Sequence, residues 1–147
     1  MGANKIIDNL YMGSAPPTDS VNLSKDFDCL ILSAIEFQPP DHYYKGLDIH
    51  RALINDDGSP MTFKEMQYAI RAASYTIKKL NEGKRVLVTC WQGRNRSGII
   101  TALVLTFGYG KTPTESINMI RDSRGSGALG NDQFVSFLNE FYRFKNP

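Results

Sequence analysis

The residues that most restrict the fold are Arg85-Val86-Leu87-Val88-Thr89, a β-branched run that ends at Cys90. The loop Trp91-Gln92-Gly93-Arg94-Asn95 separates that cysteine from Arg96, and the apolar stretch Gly98 to Tyr109 follows. The run reads as a buried strand, and the stretch as a helix that starts near Arg96 or Ser97 and reaches about Gly108. A strand, a tight loop and a helix N-terminus in that order aim successive backbone N–H groups into one anion-sized nest. Gly93 supplies the unusual backbone angles that close such a loop.

The rest of the chain supplies the partners for this strand. Lys5-Ile6-Ile7 and Leu10-Tyr11-Met12 are strand candidates joined by Asp8-Asn9, with Gly13-Ser14-Ala15-Pro16-Pro17 closing the pair. Phe27 to Leu32 and Ile49 to Ile54 read as buried strands, with Pro39-Pro40 marking a surface loop between them. Phe63, Met66, Ile70, Ala73, Ile77 and Leu80 then recur at helical steps, with Thr62 and Glu65 as a capping box and Gly83 as the stop. Another helix starts at Thr112-Pro113-Thr114-Glu115, and a last one at Asn131, carrying Phe134, Phe137, Leu138, Phe141 and Tyr142 on one stripe. The aromatic stripes are core. The expected fold is α/β over residues 1–147 as one domain, with a central, mostly parallel sheet flanked by helices. Its phosphate-binding loop lies between the central strand and a helix N-terminus.

Composition excludes several function classes. A net charge of +2 argues against bulk attraction to nucleic acid or an anionic membrane, so anion preference has to come from local basic groups. The apolar stretch after Arg96 is too short to span a bilayer. The start, Met1-Gly2-Ala3-Asn4-Lys5-Ile6, has no signal-peptide apolar region, and Ile6 stands where a myristoylation pattern wants Ser or Thr. Cys29 and Cys90, with His42 and His50, have no metal-ligand spacing and form no disulfide framework. Cys29 reads as a small core residue, with a protective disulfide to Cys90 as the alternative. No metal or organic cofactor is expected, and a cytoplasmic monomer suits the chain.

The chemistry follows from the loop. Arg96 is a planar fork that can hold two phosphate oxygens, and the positive field of the nest favours the thiolate of Cys90 over the thiol. A thiolate beneath a bound phosphate is placed for in-line attack, giving a cysteinyl phosphate that water hydrolyses. The Ser97 hydroxyl can donate to the sulfur, both as it attacks and as it leaves. The backbone N–H groups of Trp91, Gln92, Gly93, Arg94 and Asn95 bind phosphate whatever their side chains do. Trp91 is either a lid or a packing residue, and Arg94 either favours a further anion or is solvated. The leaving oxygen needs a proton, so a carboxylic acid has to approach from another loop.

At these residues the sequence resembles the dual-specificity branch of the protein tyrosine phosphatases, whose signature is Cys-x5-Arg-Ser/Thr. Ile7-Asp8-Asn9-Leu10-Tyr11-Met12-Gly13-Ser14 is similar to the family's N-terminal strand motif, and Arg124 through Phe134 to its C-terminal Arg…Asn-x-x-Phe segment. Thr89 departs from the family's usual histidine before the cysteine. The resemblance implies a general acid on a mobile loop within Asn55-Asp56-Asp57-Gly58-Ser59-Pro60, where Asp56 aligns best and Asp57 is the competitor. Either aspartate can instead make the turn and cap the helix. Arg121 and Arg124 read as solvated helix residues, though the family pattern points to Arg124 as a buttress of the phosphate loop.

The implied function is hydrolysis of phosphotyrosine, and of phosphoserine and phosphothreonine, in phosphorylated protein substrates. No loop of the Lys-Asn-Arg-Tyr kind that deepens a tyrosine-specific pocket is visible. Gly93-Arg94-Asn95-Arg96-Ser97-Gly98 also resembles the loop of RNA 5′-triphosphatases, which keeps a nucleic-acid substrate open. A phosphoinositide phosphatase is a further alternative, although that loop usually carries lysines. The non-enzymatic alternative is a phospho-binding pseudophosphatase.

Overall fold

The computed structural model describes residues 2–19 and 22–147. Its five-stranded sheet has the order β1-β2-β5-β3-β4. β1 (Asn4–Ile7) and β2 (Leu10–Ser14) form the antiparallel edge, turning at Asn9, whose φ of 70° is the left-handed region that asparagine tolerates. β2 pairs in parallel with β5 (Val86–Cys90), and β5 in parallel with β3 (Cys29–Ala34), which carries β4 (Asp48–Ile54) on its far side. The expected mostly parallel sheet is therefore present, and the strand that ends in Cys90 is its centre.

Side-chain alternation sorts the sheet into two cores. Cys29 and Ile31, Ala52 and Ile54, and Val86 and Val88 face the larger one. It is covered by α2 (Phe63–Asn81), α3 (Arg96–Tyr109), α4 (Pro113–Arg124) and α5 (Asp132–Lys145). Leu30, Leu32 and Leu87 face a smaller core closed by α1 (Leu23–Asp26), Phe27 and Tyr44. The helical cover is thus unequal, with one full layer and one short patch. α3 is buried from Arg96 to Thr106, which explains why that stretch is apolar all round. Among the described residues, no helix is long and apolar enough to cross a membrane.

The helix starts follow their sequence signals. Thr62 with Glu65 and Thr112 with Glu115 form complete capping boxes, each oxygen meeting a backbone N–H that would otherwise be unsatisfied. Asn131 caps α5 by accepting from the N–H groups of Gln133 and Phe134. Gly83 ends α2 with a φ of 78°. The short α1 and a 3-10 turn at Asp41–Tyr43 were not foreseen, because neither has a side-chain cap or a periodic stripe to signal it.

Candidate active site

β5 ends at the carboxyl edge of the sheet, flanked by its parallel neighbours β2 and β3, where α/β sheets open a crevice. There a cavity of about 270 Å³ is lined by Glu36, Asp56, Cys90, Trp91, Gln92, Arg94, Asn95 and Arg96. Six of them come from residues 90–96, and the sheet brings Glu36 and Asp56 to that loop from more than thirty positions away.

Cys90 is buried, and its Sγ lies 3.3 Å from Ser97 Oγ, the contact expected from their spacing. The preceding Thr89 turns away from the loop. Its hydroxyl donates to the Ile31 carbonyl at 2.7 Å, and its own carbonyl accepts from Ser33 Oγ at 2.5 Å. The residue in the histidine position therefore ties β5 to β3.

The loop between β5 and α3 has the closure expected of an anion nest. Gly93 has a φ of 69°, and a Cβ there would lie 2.6 Å from the Gly13 carbonyl. Both angle and space demand glycine. Arg124 reaches the loop from the end of α4, donating through Nε to Gly93 O at 3.0 Å and through Nη2 to Gln92 O at 3.1 Å. Its Nη1 donates to Gly2 O and, at 2.7 Å, to Asn4 Oδ1. Holding these carbonyls outward frees the loop's N–H groups for the cavity. Arg124 is the buttress, not a solvated residue. Arg121 is also engaged, donating to Ala128 O at 2.9 Å and Leu129 O at 3.1 Å, which corrects its reading as solvated.

Arg96 opens α3 and is buried except for its outer edge. Its Nη1 and Nη2 donate to the two carboxylate oxygens of Glu36 at 2.5 and 2.7 Å, and Nη1 also reaches Ile54 O at 3.1 Å. Burial opposes the charge of Arg96, but Glu36, Cys90 and Asp56 more than offset it. The same pairing holds the Glu36 carboxyl below its usual range. Arg96 Nε is buried with no protein partner among the described residues, so one charged donor of the guanidinium is left unpaired by the protein. Glu36 was missed by the sequence reading. It follows β3 in an irregular segment, and only its partner sixty positions away gives it meaning.

The two aspartates separate cleanly. Asp57 closes the turn, its Oδ1 accepting from Ser59 N at 3.0 Å and its Oδ2 from Asn55 Nδ2 at 3.1 Å. Those donors hold its carboxyl below the usual range, Ser59 contributing most. Asp56 faces the cavity. Its Oδ2 accepts from Asn95 Nδ2 at 3.0 Å and its Oδ1 from Asn131 Nδ2 at 2.7 Å.

Trp91 is 53% exposed and meets Phe37 edge-on, with ring centroids 5.7 Å apart. It packs and borders the cavity at once. Arg94 is exposed on the cavity wall, with no hydrogen bond from its guanidinium among the described residues. Cys29 lies at the other end of the sheet. Its strand partner is Val86, so four residues of β5, about 13 Å of strand, separate it from Cys90. A disulfide spans less than 7 Å between Cα atoms, so the protective pairing is excluded in this structure.

Solved structures share this fold. Tk-PTP in its active form matches with a TM-score of 0.84 at 20% identity, covering 97% of each chain. Human DUSP28 matches with a TM-score of 0.82 at 16% identity, covering 100% of this chain and 97% of that one. The fold is that of the dual-specificity and protein tyrosine phosphatases. No protein-family model matches the chain. Among curated proteins, Cyclin-dependent kinase inhibitor 3 of Mus musculus is 32% identical over 62 residues, which is 42% of this chain and 29% of that protein. The match therefore spans less than a third of the relative's length.

Proposed function

We propose that the chain hydrolyses phosphate monoesters on proteins, phosphotyrosine and also phosphoserine and phosphothreonine, through a cysteinyl-phosphate intermediate. The observation that carries this reading is the convergence of Cys90, Arg96 and Asp56 on one cavity above the loop N–H groups. In the first step the Cys90 thiolate attacks phosphorus as the bond to the ester oxygen breaks. Asp56, protonated, gives its proton to that oxygen. Arg96 and the backbone N–H groups stabilise the charge on the transferring phosphoryl oxygens. In the second step Asp56, now a carboxylate, takes a proton from water as the water oxygen attacks phosphorus. The sulfur leaves as thiolate, with Ser97 donating to it.

The test is hydrolysis of para-nitrophenyl phosphate and of a phosphotyrosine peptide, in chelator, by the parent, Cys90→Ser, Asp56→Ala and Asp57→Ala proteins. Loss of turnover in Cys90→Ser, with Asp56→Ala impaired most on the peptide, is the expected pattern. Full activity in Cys90→Ser would sink the reading. An inactive parent whose Cys90→Ser form retains phosphoproteins would favour the pseudophosphatase.

One observation favours a second reading, an RNA 5′-triphosphatase. Arg94 lines the cavity and is exposed, so its side chain can offer a guanidinium to a second phosphate. Preference for triphosphorylated RNA over phosphopeptide, lost in Arg94→Ala, would select it.

A further inference from the structure

We infer that Asn131 and the side chain of Asn95 are positioning residues that aim Asp56 at the leaving oxygen, an inference that rests on Asp56 being the proton donor. The hydrogen bonds fix which end of each amide faces the carboxylate. Asn131 Oδ1 accepts from Gln133 N at 2.9 Å and Phe134 N at 3.4 Å, so its NH2 group is the end left for Asp56. Asn95 Oδ1 accepts from Asn131 N at 3.1 Å, which commits its NH2 group to Asp56 in the same way. Turning either amide over would set oxygen against oxygen and strand a backbone donor.

Asn95 makes this contact instead of the one its place predicts. An asparagine at a helix N-cap ordinarily accepts from the first-turn N–H groups. Asn95 occupies the N-cap of α3 and makes no such bond. Two consequences follow together. The N–H groups at the start of α3 stay free for an anion, and the side chain ties the phosphate loop to the acid.

The loop that carries Asp56 has little else to locate it. Asn55 N donates to Glu65 Oε2 at 2.7 Å, while the hydrogen bonds of Asp57 and Ser59 close within the turn itself. Among the described residues, the hydrogen bonds from this loop to the phosphate loop and to α5 run through the Asp56 carboxylate. The acid is therefore registered against the phosphate loop and the α5 N-terminus, not against its own backbone. A displacement of about 1 Å at such a group can cost up to about a hundredfold in rate. A carboxylate has roughly four lone-pair sites, so both amide bonds can persist whether or not a proton is carried.

The test uses Asn131→Ser, which keeps an oxygen to cap α5 but removes the NH2 donor. It is assayed on phenyl phosphate, whose leaving group needs a proton, and on a fluorinated umbelliferyl phosphate, whose leaving group does not. The expected result is a loss in kcat on phenyl phosphate about tenfold greater than on the fluorinated ester, with KM little changed. Adding the substitution to Asp56→Ala should produce no further loss on phenyl phosphate. Asn131→Asp also keeps the cap but sets a like charge against Asp56, so the alkaline limb of its pH–rate profile should move to higher pH. Equal losses on the two esters, additive losses with Asp56→Ala, or an unmoved limb would each overturn the inference. A Asp56→Ala protein with undiminished turnover of phenyl phosphate would instead remove the acid assignment on which the inference stands.

Discussion

Glu36 grips Arg96 through both terminal nitrogens, at 2.5 and 2.7 Å, and fixes the plane of the guanidinium at the mouth of the nest. An arginine free to rotate would offer phosphate a charge but not an aligned fork. Glu36→Gln should lower kcat/KM about tenfold and weaken inhibition by inorganic phosphate, since charge-assisted bonds of this kind contribute about 1.5–3 kcal/mol. Steady-state kinetics with phosphate as inhibitor checks this. Tighter phosphate inhibition in the variant would mean that Glu36 competes with substrate for Arg96 instead of orienting it.

Asp28 gives the acid side of the stability profile a specific cause. Arg85 meets both of its oxygens at 3.1 Å and adds a backbone N–H at 2.8 Å, holding the carboxyl down at about 2. An unfolded aspartate titrates near 3.9, roughly two units higher. The pair's contribution is therefore complete above about pH 4 and is lost as pH falls through about 2. Urea midpoints at pH 5 and 2.5 should fall less in Asp28→Asn than in the parent. Equal falls would place the acid sensitivity elsewhere.

What was legible in the sequence was whatever chemistry is local to it. Cys90, Gly93, Arg96 and Ser97 lie in one short window whose strand–loop–helix order dictates their geometry, and the capping boxes at Thr62 and Thr112 announce their helices within four residues. Glu36 was not legible, because a lone glutamate after a strand looks like any solvated loop residue. Asn131 was legible as a cap but not as a donor to Asp56, since that role belongs to its second amide atom and a partner 75 positions away. Which of Asp56 and Asp57 faces the cavity depends on which way adjacent side chains point, which the turn decides and composition does not.

Gly93 can be separated from glycines that need only their backbone angle. Gly58 has a φ of 82° with nothing within 4 Å of the place a Cβ would take, so Gly58→Ala should cost about 1 kcal/mol of strain. Gly93 has a similar φ of 69° but faces the Gly13 carbonyl at 2.6 Å, so Gly93→Ala has to move the loop as well. Denaturation of both variants should show the larger loss at Gly93, and only there should phosphate binding fall by about tenfold or more. Equal behaviour of the two would show that the loop accommodates a methyl group without losing its nest.

Arg124 extends the same logic from shape to charge. Without its guanidinium, the carbonyls of Gln92 and Gly93 lose the donors that hold them outward, and an inward carbonyl would present negative charge to the substrate. Arg124→Met keeps the aliphatic stem and should lower kcat/KM by about tenfold or more, with a stability loss of about 1–2 kcal/mol from the missing bonds. Arg124→Lys supplies the charge without the fork and cannot span Nε-to-Gly93 and Nη2-to-Gln92 together. Its activity should stay close to that of Arg124→Met. Full rescue by lysine would show that a positive charge behind the nest suffices, and that the bidentate grip on the loop carbonyls is incidental to catalysis.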